Sequence, residues 1–131
     1  MSGSDSRPLR IFVVENHADT LSSLSTYLEM MGHTVLSART QREALDLLPD
    51  ADCDVLISDI GLPDGDGWEL LRDAKLSRPI YAIAMSGFGM NADRAKSEAA
   101  GYRDHLLKPF DPDALEAILD QAMKDGAFSL H

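Results

Sequence analysis

The fold class follows most directly from residues 55–63, which read Val55-Leu56-Ile57-Ser58-Asp59-Ile60-Gly61-Leu62-Pro63. A short apolar run that is bounded by turn residues is typical of a strand buried on both faces of a sheet. Strands of this kind belong to parallel sheets covered by helices, which build their sites at the carboxyl ends of the strands. We therefore expect Asp59, where the run ends, to lie in a functional crevice.

Four further segments read as strands, and each of the five is followed by a helical pattern; these four cover residues 9–14, 34–38, 80–85 and 102–107. Thr40 and Glu43 form a capping box that predicts a helix ending before Pro49. Asp111 and Pro112 are the N-cap and first residue of the last helix. Five alternating strands and helices predict a doubly wound (βα)5 sandwich with a parallel sheet of order 2-1-3-4-5.

Length and composition indicate one globular domain of ordinary hydrophobicity. We expect a flexible leader over residues 1–7, the domain over 8–125 and a tail over 126–131. A net charge of −10 argues against a nucleic-acid partner and against an anionic membrane surface. There is no apolar run long enough for a membrane helix and no secretory signal. The single cysteine, Cys53, cannot form an internal disulfide, so we expect a reducing, cytoplasmic setting.

Polar residues follow four of the five predicted strands, and they are Glu15-Asn16, Asp59, Ser86 and Lys108. The second strand ends in Ala38-Arg39 and offers no matching group. In a sheet of order 2-1-3-4-5 the second strand lies at an edge, while the switch-point crevice lies between the first and third strands. The polar residues are therefore predicted to converge on that crevice.

These residue types fit one chemistry. Oxygen ligands held close together suit a hard cation such as Mg²⁺, which keeps several waters and often shares a phosphate. A hydroxyl and an ammonium opposite them suit phosphoryl oxygens, and phosphoryl transfer depends mainly on positioning and charge neutralisation. Asp59 is the candidate nucleophile, which would form an aspartyl phosphate.

The chain resembles the receiver domains of two-component response regulators over residues 8 to 125. The matching motifs are Val14-Glu15-Asn16-His17, Ser58-Asp59-Ile60-Gly61-Leu62-Pro63-Asp64-Gly65-Asp66-Gly67, Met85-Ser86-Gly87 and Leu107-Lys108-Pro109-Phe110. The resemblance implies a flavodoxin-like fold and a signalling switch rather than an enzyme. It also implies that Asp59 accepts a phosphoryl group from a sensor histidine kinase or a histidine phosphotransfer protein.

The same resemblance assigns roles to the other residues of the crevice. Mg²⁺ (or Mn²⁺) would be held by two carboxylates, an amide and one main-chain carbonyl, which belong to Glu15, Asp59, Asn16 and Gly61. The phosphoryl oxygens would be bound by Ser86, Gly87 and Lys108, and the Lys108-Pro109 bond would be cis.

Receiver domains also change shape on phosphorylation, and the resemblance locates the parts that change. Ser86 and His105 would be the switch residues, with His105 standing where many relatives have Tyr or Phe. Gly61 and Phe88 would tune self-dephosphorylation, which we expect to be slow. A downstream effector would bind the face formed by the fourth helix, fifth strand and fifth helix, and a homodimer is left open.

Asn16 is the main departure, because relatives usually carry a second metal-binding carboxylate there. Loss of one charge predicts weaker Mg²⁺ binding with phosphotransfer retained. The alternative is a pseudo-receiver, an interaction module that works without phosphorylation. A phosphatase or dehydrogenase on this fold would need a second acidic catalytic residue beside Asp59 or a credible dinucleotide fingerprint, and the sequence offers neither.

Overall fold

A computed structural model describes residues 8–87 and 93–125. In chain order its strands are β1 (Arg10–Val14), β2 (Thr34–Ala38), β3 (Val55–Asp59), β4 (Gly61–Leu62), β5 (Gly65–Asp66), β6 (Tyr81–Ser86) and β7 (Asp104–Leu107). Its helices are α1 (Ala18–Met30), α2 (Gln41–Ala51), α3 (Gly67–Asp73), α4 (Asp93–Ala100) and α5 (Pro112–Asp125). The five longer strands pair in parallel in the order β2-β1-β3-β6-β7. This order confirms the predicted doubly wound sandwich.

Two hydrophobic layers cover the sheet because alternate residues of each strand point to opposite faces. Ile57 of β3 packs in the layer that includes residues of α1 and α5. Its neighbour Leu56 packs in the other layer, with residues of α2 and α3. Every residue of β3 is buried, as expected for a strand covered on both sides. The central strands are thus fixed, and so are the residues at their ends.

Helix α2 begins as predicted but ends later. The Thr40 hydroxyl accepts a hydrogen bond from the Glu43 amide at 3.0 Å. The predicted end before Pro49 is wrong, because the helix continues through Pro49 to Ala51. Pro49 lies in the last turn, and the helix ends at Asp52, whose φ of 51° is left-handed. A left-handed residue just after the last turn is a common helix end.

The Gly- and Asp-rich segment after β3 contains a small hairpin. Strands β4 and β5 pair antiparallel, with Gly61 opposite Asp66. Asp66 then caps α3, since its side chain accepts from the Glu69 amide at 2.8 Å. Gly67 must lack a side chain, because a Cβ there would lie 2.6 Å from the Asp59 carbonyl oxygen. The hairpin is therefore drawn tightly against the end of β3.

Cys53 lies in the core beside α2 and is 3% exposed. Burial raises the pKa of its thiol to about 11. Within residues 8–87 and 93–125, the helices include none that is long and apolar enough to cross a membrane. The predicted leader, residues 1–7, and the tail, residues 126–131, lie outside the described residues, so those boundaries stay predictions.

Candidate functional site

The predicted convergence of polar residues occurs at the carboxyl edge of the sheet. Asp59 is the last residue of β3 and pairs in register with Met85 of β6. Ser86 follows at the end of β6 and pairs with Leu107 of β7, one residue before Lys108. Glu15 follows β1, and its amide donates to the Ala38 carbonyl at 3.1 Å. Adjacent strands thus place their terminal residues side by side.

Lys108 joins the two carboxylates of the site. Its ammonium donates to Asp59 Oδ2 at 2.9 Å and to Glu15 Oε1 at 3.2 Å. Glu15 is fully buried and Asp59 is 6% exposed. The Lys108–Pro109 peptide bond is cis, as the resemblance implies. Among these three groups, two carboxylates and one ammonium leave a net charge of −1, and both carboxylates are buried.

The surroundings raise the pKa of both paired groups, which disfavours the charged form of Asp59 and favours the charged form of Lys108. Burial raises the pKa of the Asp59 carboxyl, and the charge of Glu15 raises it further; the hydrogen bond and charge of Lys108 only partly offset this. Burial alone would lower the pKa of the Lys108 ammonium, but its hydrogen bond to Asp59 and the two negative charges leave it raised. Ionised Asp59 is therefore held at an energetic cost that an additional cation would relieve.

Asn16 follows Glu15 and is half-buried at the rim of the crevice. Its main-chain carbonyl accepts two hydrogen bonds from the Arg39 guanidinium, at 2.8 and 3.2 Å. Sequence reasoning missed this contact, because the end of the second strand was taken to carry no group relevant to the site. The position of Arg39 directly after the strand that neighbours β1 could have indicated that its long side chain reaches Asn16.

His17 also lies at the entrance. Its amide donates to Glu15 Oε2 at 2.8 Å, and its ring Nδ1 lies 3.1 Å from the same oxygen. The other Glu15 oxygen faces Lys108. Both oxygens of the buried carboxylate are thus oriented by neighbouring groups.

Ser86 and His105, the predicted switch residues, contact each other. Ser86 Oγ lies 2.6 Å from His105 Nε2, and Ser86 is 1% exposed. His105 is in β7, beside β6 in the sheet. The hydroxyl that was predicted to bind phosphate is therefore in contact with the side chain that was predicted to switch with it.

Three predicted site residues remain, Gly61, Gly87 and Phe88, and the structure describes the first two. Gly61 donates its amide to Asp59 Oδ1 at 3.2 Å, which brings its main chain to the site. Gly87 follows Ser86, and a Cβ there would meet nothing within 4 Å. Phe88 lies outside the described residues.

The donor set fits a hard divalent cation. Two carboxylates, the Gly61 main chain and the Asn16 amide offer oxygen ligands of the type that Mg²⁺ prefers. Among the residues that the structure describes, no three His, Cys, Asp or Glu side chains group as a metal site.

Known proteins share these features. Residues 11–120 match the family model of the response regulator receiver domain. The KDP operon transcriptional regulatory protein KdpE of Escherichia coli is 33% identical over 114 residues, which are 87% of this chain and 51% of KdpE. The chain thus spans about half the length of this relative, as it does for the probable transcriptional regulator ycf27 of Guillardia theta, at 49%.

Solved receiver structures superpose closely. A CheY-like receiver domain from Methanospirillum hungatei has a TM-score of 0.82 and 28% identity, covering 91% of this chain and 96% of its own. The beryllofluoride-activated DrrB receiver domain has a TM-score of 0.78 and 27% identity, covering 90% and 99%. With the matching sheet order and the converging acidic and lysine residues, these likenesses show that the chain belongs to the response regulator receiver domain family of two-component systems.

Proposed function

We propose that this domain is a phosphorylation-activated switch in which Asp59 accepts a phosphoryl group. The observation that carries the proposal is the Lys108 ammonium, which contacts both the Asp59 and the Glu15 carboxylates at the carboxyl edge of the sheet. Phosphorylation and Mg²⁺ binding are general properties of the family. In this reading the domain acts as a signal carrier, although it takes part in its own phosphorylation and dephosphorylation.

The chemistry requires positioning and charge neutralisation. An Asp59 carboxylate oxygen forms a bond to phosphorus while the bond between phosphorus and the donor's histidine nitrogen breaks, leaving the donor imidazole. Lys108 already lies 2.9 Å from Asp59 Oδ2, so it can pair with a phosphoryl oxygen by a small movement. Ser86 and the Gly87 amide would bind the other oxygens.

Mg²⁺ (or Mn²⁺) would be held by Glu15, Asp59, the Gly61 carbonyl and the Asn16 amide. When bound, the cation supplies positive charge that neutralises the transferring group. The net negative charge of Glu15, Asp59 and Lys108 taken together supports this assignment. Asn16 makes the site less acidic than that of most relatives, so we expect weaker binding with phosphotransfer retained.

His105 is the proposed partner of Ser86 in the switch. The 2.6 Å contact with His105 Nε2 occupies the Ser86 hydroxyl before phosphorylation. When Ser86 turns to a phosphoryl oxygen, that contact breaks and the His105 ring is released to move. The change would reach the effector face, formed by α4, β7 and α5, where Leu107 is 46% exposed.

The partners remain part of the proposal. The phosphodonor is a sensor histidine kinase or a histidine phosphotransfer protein, and the effector binds the α4–β7–α5 face, with homodimer formation left open. The net charge of −10 disfavours direct contact with nucleic acid or an anionic membrane. A cytoplasmic location completes the proposal and is compatible with the reduced, buried thiol of Cys53.

Phosphotransfer from a labelled histidine kinase tests the proposal directly. Wild-type protein should be labelled only when Mg²⁺ is present, and Asp59→Asn should not be labelled. Beryllofluoride with Mg²⁺ should change the fluorescence of Trp68 in wild-type protein but not in Asp59→Asn. Absence of both responses in folded protein would refute the proposal and favour the pseudo-receiver, which the comparisons do not support.

Self-dephosphorylation is a second, independent readout. Gly61 has no side chain to orient an attacking water, and an added Cβ would meet nothing within 4 Å, so Gly61→Asn fits the structure. We expect Gly61→Asn and Phe88→Ala to shorten the lifetime of the phosphorylated state. Unchanged lifetimes in both variants would contradict slow hydrolysis as a property of these two positions.

A further inference from the structure

We propose that Asp64, Gln41 and Gly65 form a hairpin clamp, which fixes β4–β5 against the start of α2 and positions the Gly61 carbonyl for metal binding. The inference rests on the proposed function, because that function gives the Gly61 carbonyl its role. The three clamp residues are positioning residues, since they act through Gly61.

The first part of the clamp is the Asp64 carboxylate, which accepts hydrogen bonds from the amino end of α2. Asp64, in the turn between β4 and β5, accepts the Gln41 amide at Oδ1 (2.7 Å) and the Arg42 amide at Oδ2 (2.9 Å). These amides belong to the first turn of α2, where N–H groups lack partners within the helix. The two bonds lower the pKa of the Asp64 carboxyl. Both oxygens are engaged, so the turn is fixed in position and orientation.

The second part is the Gln41 side chain, which reaches back to the hairpin. Its Nε2 donates to the Asp66 carbonyl and to Glu69 Oε1, both at 3.1 Å. A Cβ on Gly65 would overlap the Gln41 amide, so this close approach requires glycine. The hairpin and α2 are thus joined in both directions, by Asp64 toward the helix and by Gln41 toward the hairpin.

The clamp matters for Gly61 on its carbonyl side, which leads into the hairpin, because the amide of Gly61 is already held by a hydrogen bond to Asp59 Oδ1 at 3.2 Å. Gly61 carries no side chain, and a Cβ there would lie in open space. Its strand partner is Asp66, the residue whose carbonyl Gln41 holds. Groups that orient a metal ligand commonly control metal affinity without touching the metal. Release of Asp66 or of the turn would therefore loosen the Gly61 carbonyl.

Helix α2 has a cap of its own, which makes the clamp separable from helix stability. The Thr40 hydroxyl accepts the Glu43 amide at 3.0 Å, and this bond remains when Asp64 or Gln41 is truncated. Variants at the clamp are therefore expected to fold, with the β4–β5 hairpin as the part that loosens.

Hydrogen exchange and Mg²⁺ titration of the full chain test the clamp. In metal-free protein, Asp64→Ala and Gln41→Ala should speed amide exchange over residues 61–66 and leave the β3 amides unchanged. Calorimetric titration with MgCl₂ should show a dissociation constant raised about tenfold. Asp46→Ala is the matched control, because it also removes a carboxylate from the α2 region, where Asp46 pairs only loosely with Arg42 at 3.7 Å; it should behave as wild type.

Gly65→Ala gives a test that leaves both clamp side chains in place. The added methyl group should displace the Gln41 amide and weaken Mg²⁺ binding as much as Gln41→Ala does. In the double variant the two effects should not add, because both break the same contact. Additive effects would overturn the role of Gln41.

The outcomes separate the clamp from the proposed function. If Asp64→Ala lowers only the melting temperature, with Mg²⁺ affinity and exchange at residues 61–66 unchanged, the clamp is structural and the inference is overturned alone. A wild-type chain that binds no Mg²⁺ overturns the proposed function and the inference together. Weaker Mg²⁺ binding with faster hairpin exchange supports both.

Discussion

The two edges of the parallel sheet both place carboxylates beside basic side chains, but they balance charge differently. At the carboxyl edge, the Lys108 ammonium serves the carboxylates of Glu15 and Asp59, and one negative charge is left over. At the amino edge, the Arg78 guanidinium donates to the Asp52 and Asp54 carboxylates at 2.8 Å each. A second guanidinium, that of Arg10, lies on the Ala51 and Asp52 carbonyls. The Asp52 side chain is 69% exposed, so water screens the charges at this edge, whereas the carboxylates of the other edge are buried.

The pKa directions follow this difference. Burial raises the pKa of Asp59, whereas the hydrogen bond from Arg78 lowers the pKa of Asp52. The amino edge stabilises the ionised carboxylate, as a structural ion pair does. At the carboxyl edge the ionised form of Asp59 is disfavoured, and a carboxyl pKa shifted in this way is typical of a functional site. Similar sets of two carboxylates and one basic side chain thus have opposite effects on carboxylate ionisation at the two edges.

The largest expected effect is that of Lys108→Ala. It leaves two buried carboxylates without a counter-charge, so the free energy of unfolding at pH 7 should fall by about 3 kcal/mol. Urea denaturation measures this. The loss should be smaller in an Asp59→Asn background, where the repulsion is absent, and equal losses in both backgrounds would contradict the charge argument.

Arg78→Gln should have the next largest effect. It removes a charged hydrogen bond to the half-buried Asp54, so the free energy of unfolding should fall by about 1.5 kcal/mol; the bond to the exposed Asp52 should add little. Unlike changes at the carboxyl edge, Arg78→Gln should leave the Mg²⁺ dissociation constant unchanged in calorimetry. A shifted Mg²⁺ affinity would show that the two edges are not independent.

Asn16→Asp would make the carboxyl edge still more acidic. A third carboxylate should tighten Mg²⁺ binding about tenfold, or about 1.4 kcal/mol, because it adds a full negative charge beside the ligands. Asn16→Ala, which supplies no oxygen, is the matched control and should bind Mg²⁺ more weakly than wild type. If Asn16→Asp changes neither metal affinity nor phosphorylation rate, Asn16 does not contact the metal.

Asp59→Asn should stabilise the fold while abolishing phosphorylation. A raised folded-state pKa means that the protonated carboxyl favours folding at low pH and that this contribution is lost as pH rises through the folded-state pKa. The gain from Asn should be about 1 kcal/mol at pH 7, should shrink as pH falls through the raised folded-state pKa, and should vanish below the unfolded-state pKa of about 4. Thermal unfolding of wild type and Asp59→Asn at a series of pH values measures this difference in stability. Asp52→Asn should have the opposite sign at pH 7, since the pKa of Asp52 is lowered.

The smallest effect is expected at His33, next to the amino edge. The Leu9 amide donates to His33 Nδ1 at 3.0 Å, and burial lowers the pKa of the imidazole. Stability from the neutral ring is present above its ordinary pKa and is lost as pH falls through the lower folded-state pKa. The loss should be under about 1 kcal/mol, and His33→Gln should flatten melting temperature between pH 7 and 5. An unchanged slope would contradict this.

The sequence predicted the carboxyl edge well because that edge depends on local patterns. The buried run that ends in Asp59 and the run before Lys108 define strands, and parallel strands bring their carboxyl ends together. The sheet order and the convergence of Asp59 and Lys108 on one crevice were therefore accessible without coordinates, whereas their direct contact at 2.9 Å was not predicted.

What could not be predicted depends on contacts between distant segments. The hairpin after β3 is held by Asp64 on the amides of α2, and nothing in residues 61–66 alone indicates that partner. Arg39 reaches the Asn16 carbonyl across the neighbouring strand. Pro49 was taken as a helix end, yet the last turn of α2 accommodates it and the left-handed Asp52 ends the helix instead.

The buried Cys53 has a practical consequence. It is the one cysteine of the chain, and burial keeps its thiol protonated at neutral pH, with a pKa of about 11. Alkylating reagents react with the thiolate, so they should not modify Cys53 in folded protein. A Leu107→Cys variant would then carry one reactive thiol on the proposed effector face. A fluorophore or spin label could be attached there without removing the native cysteine.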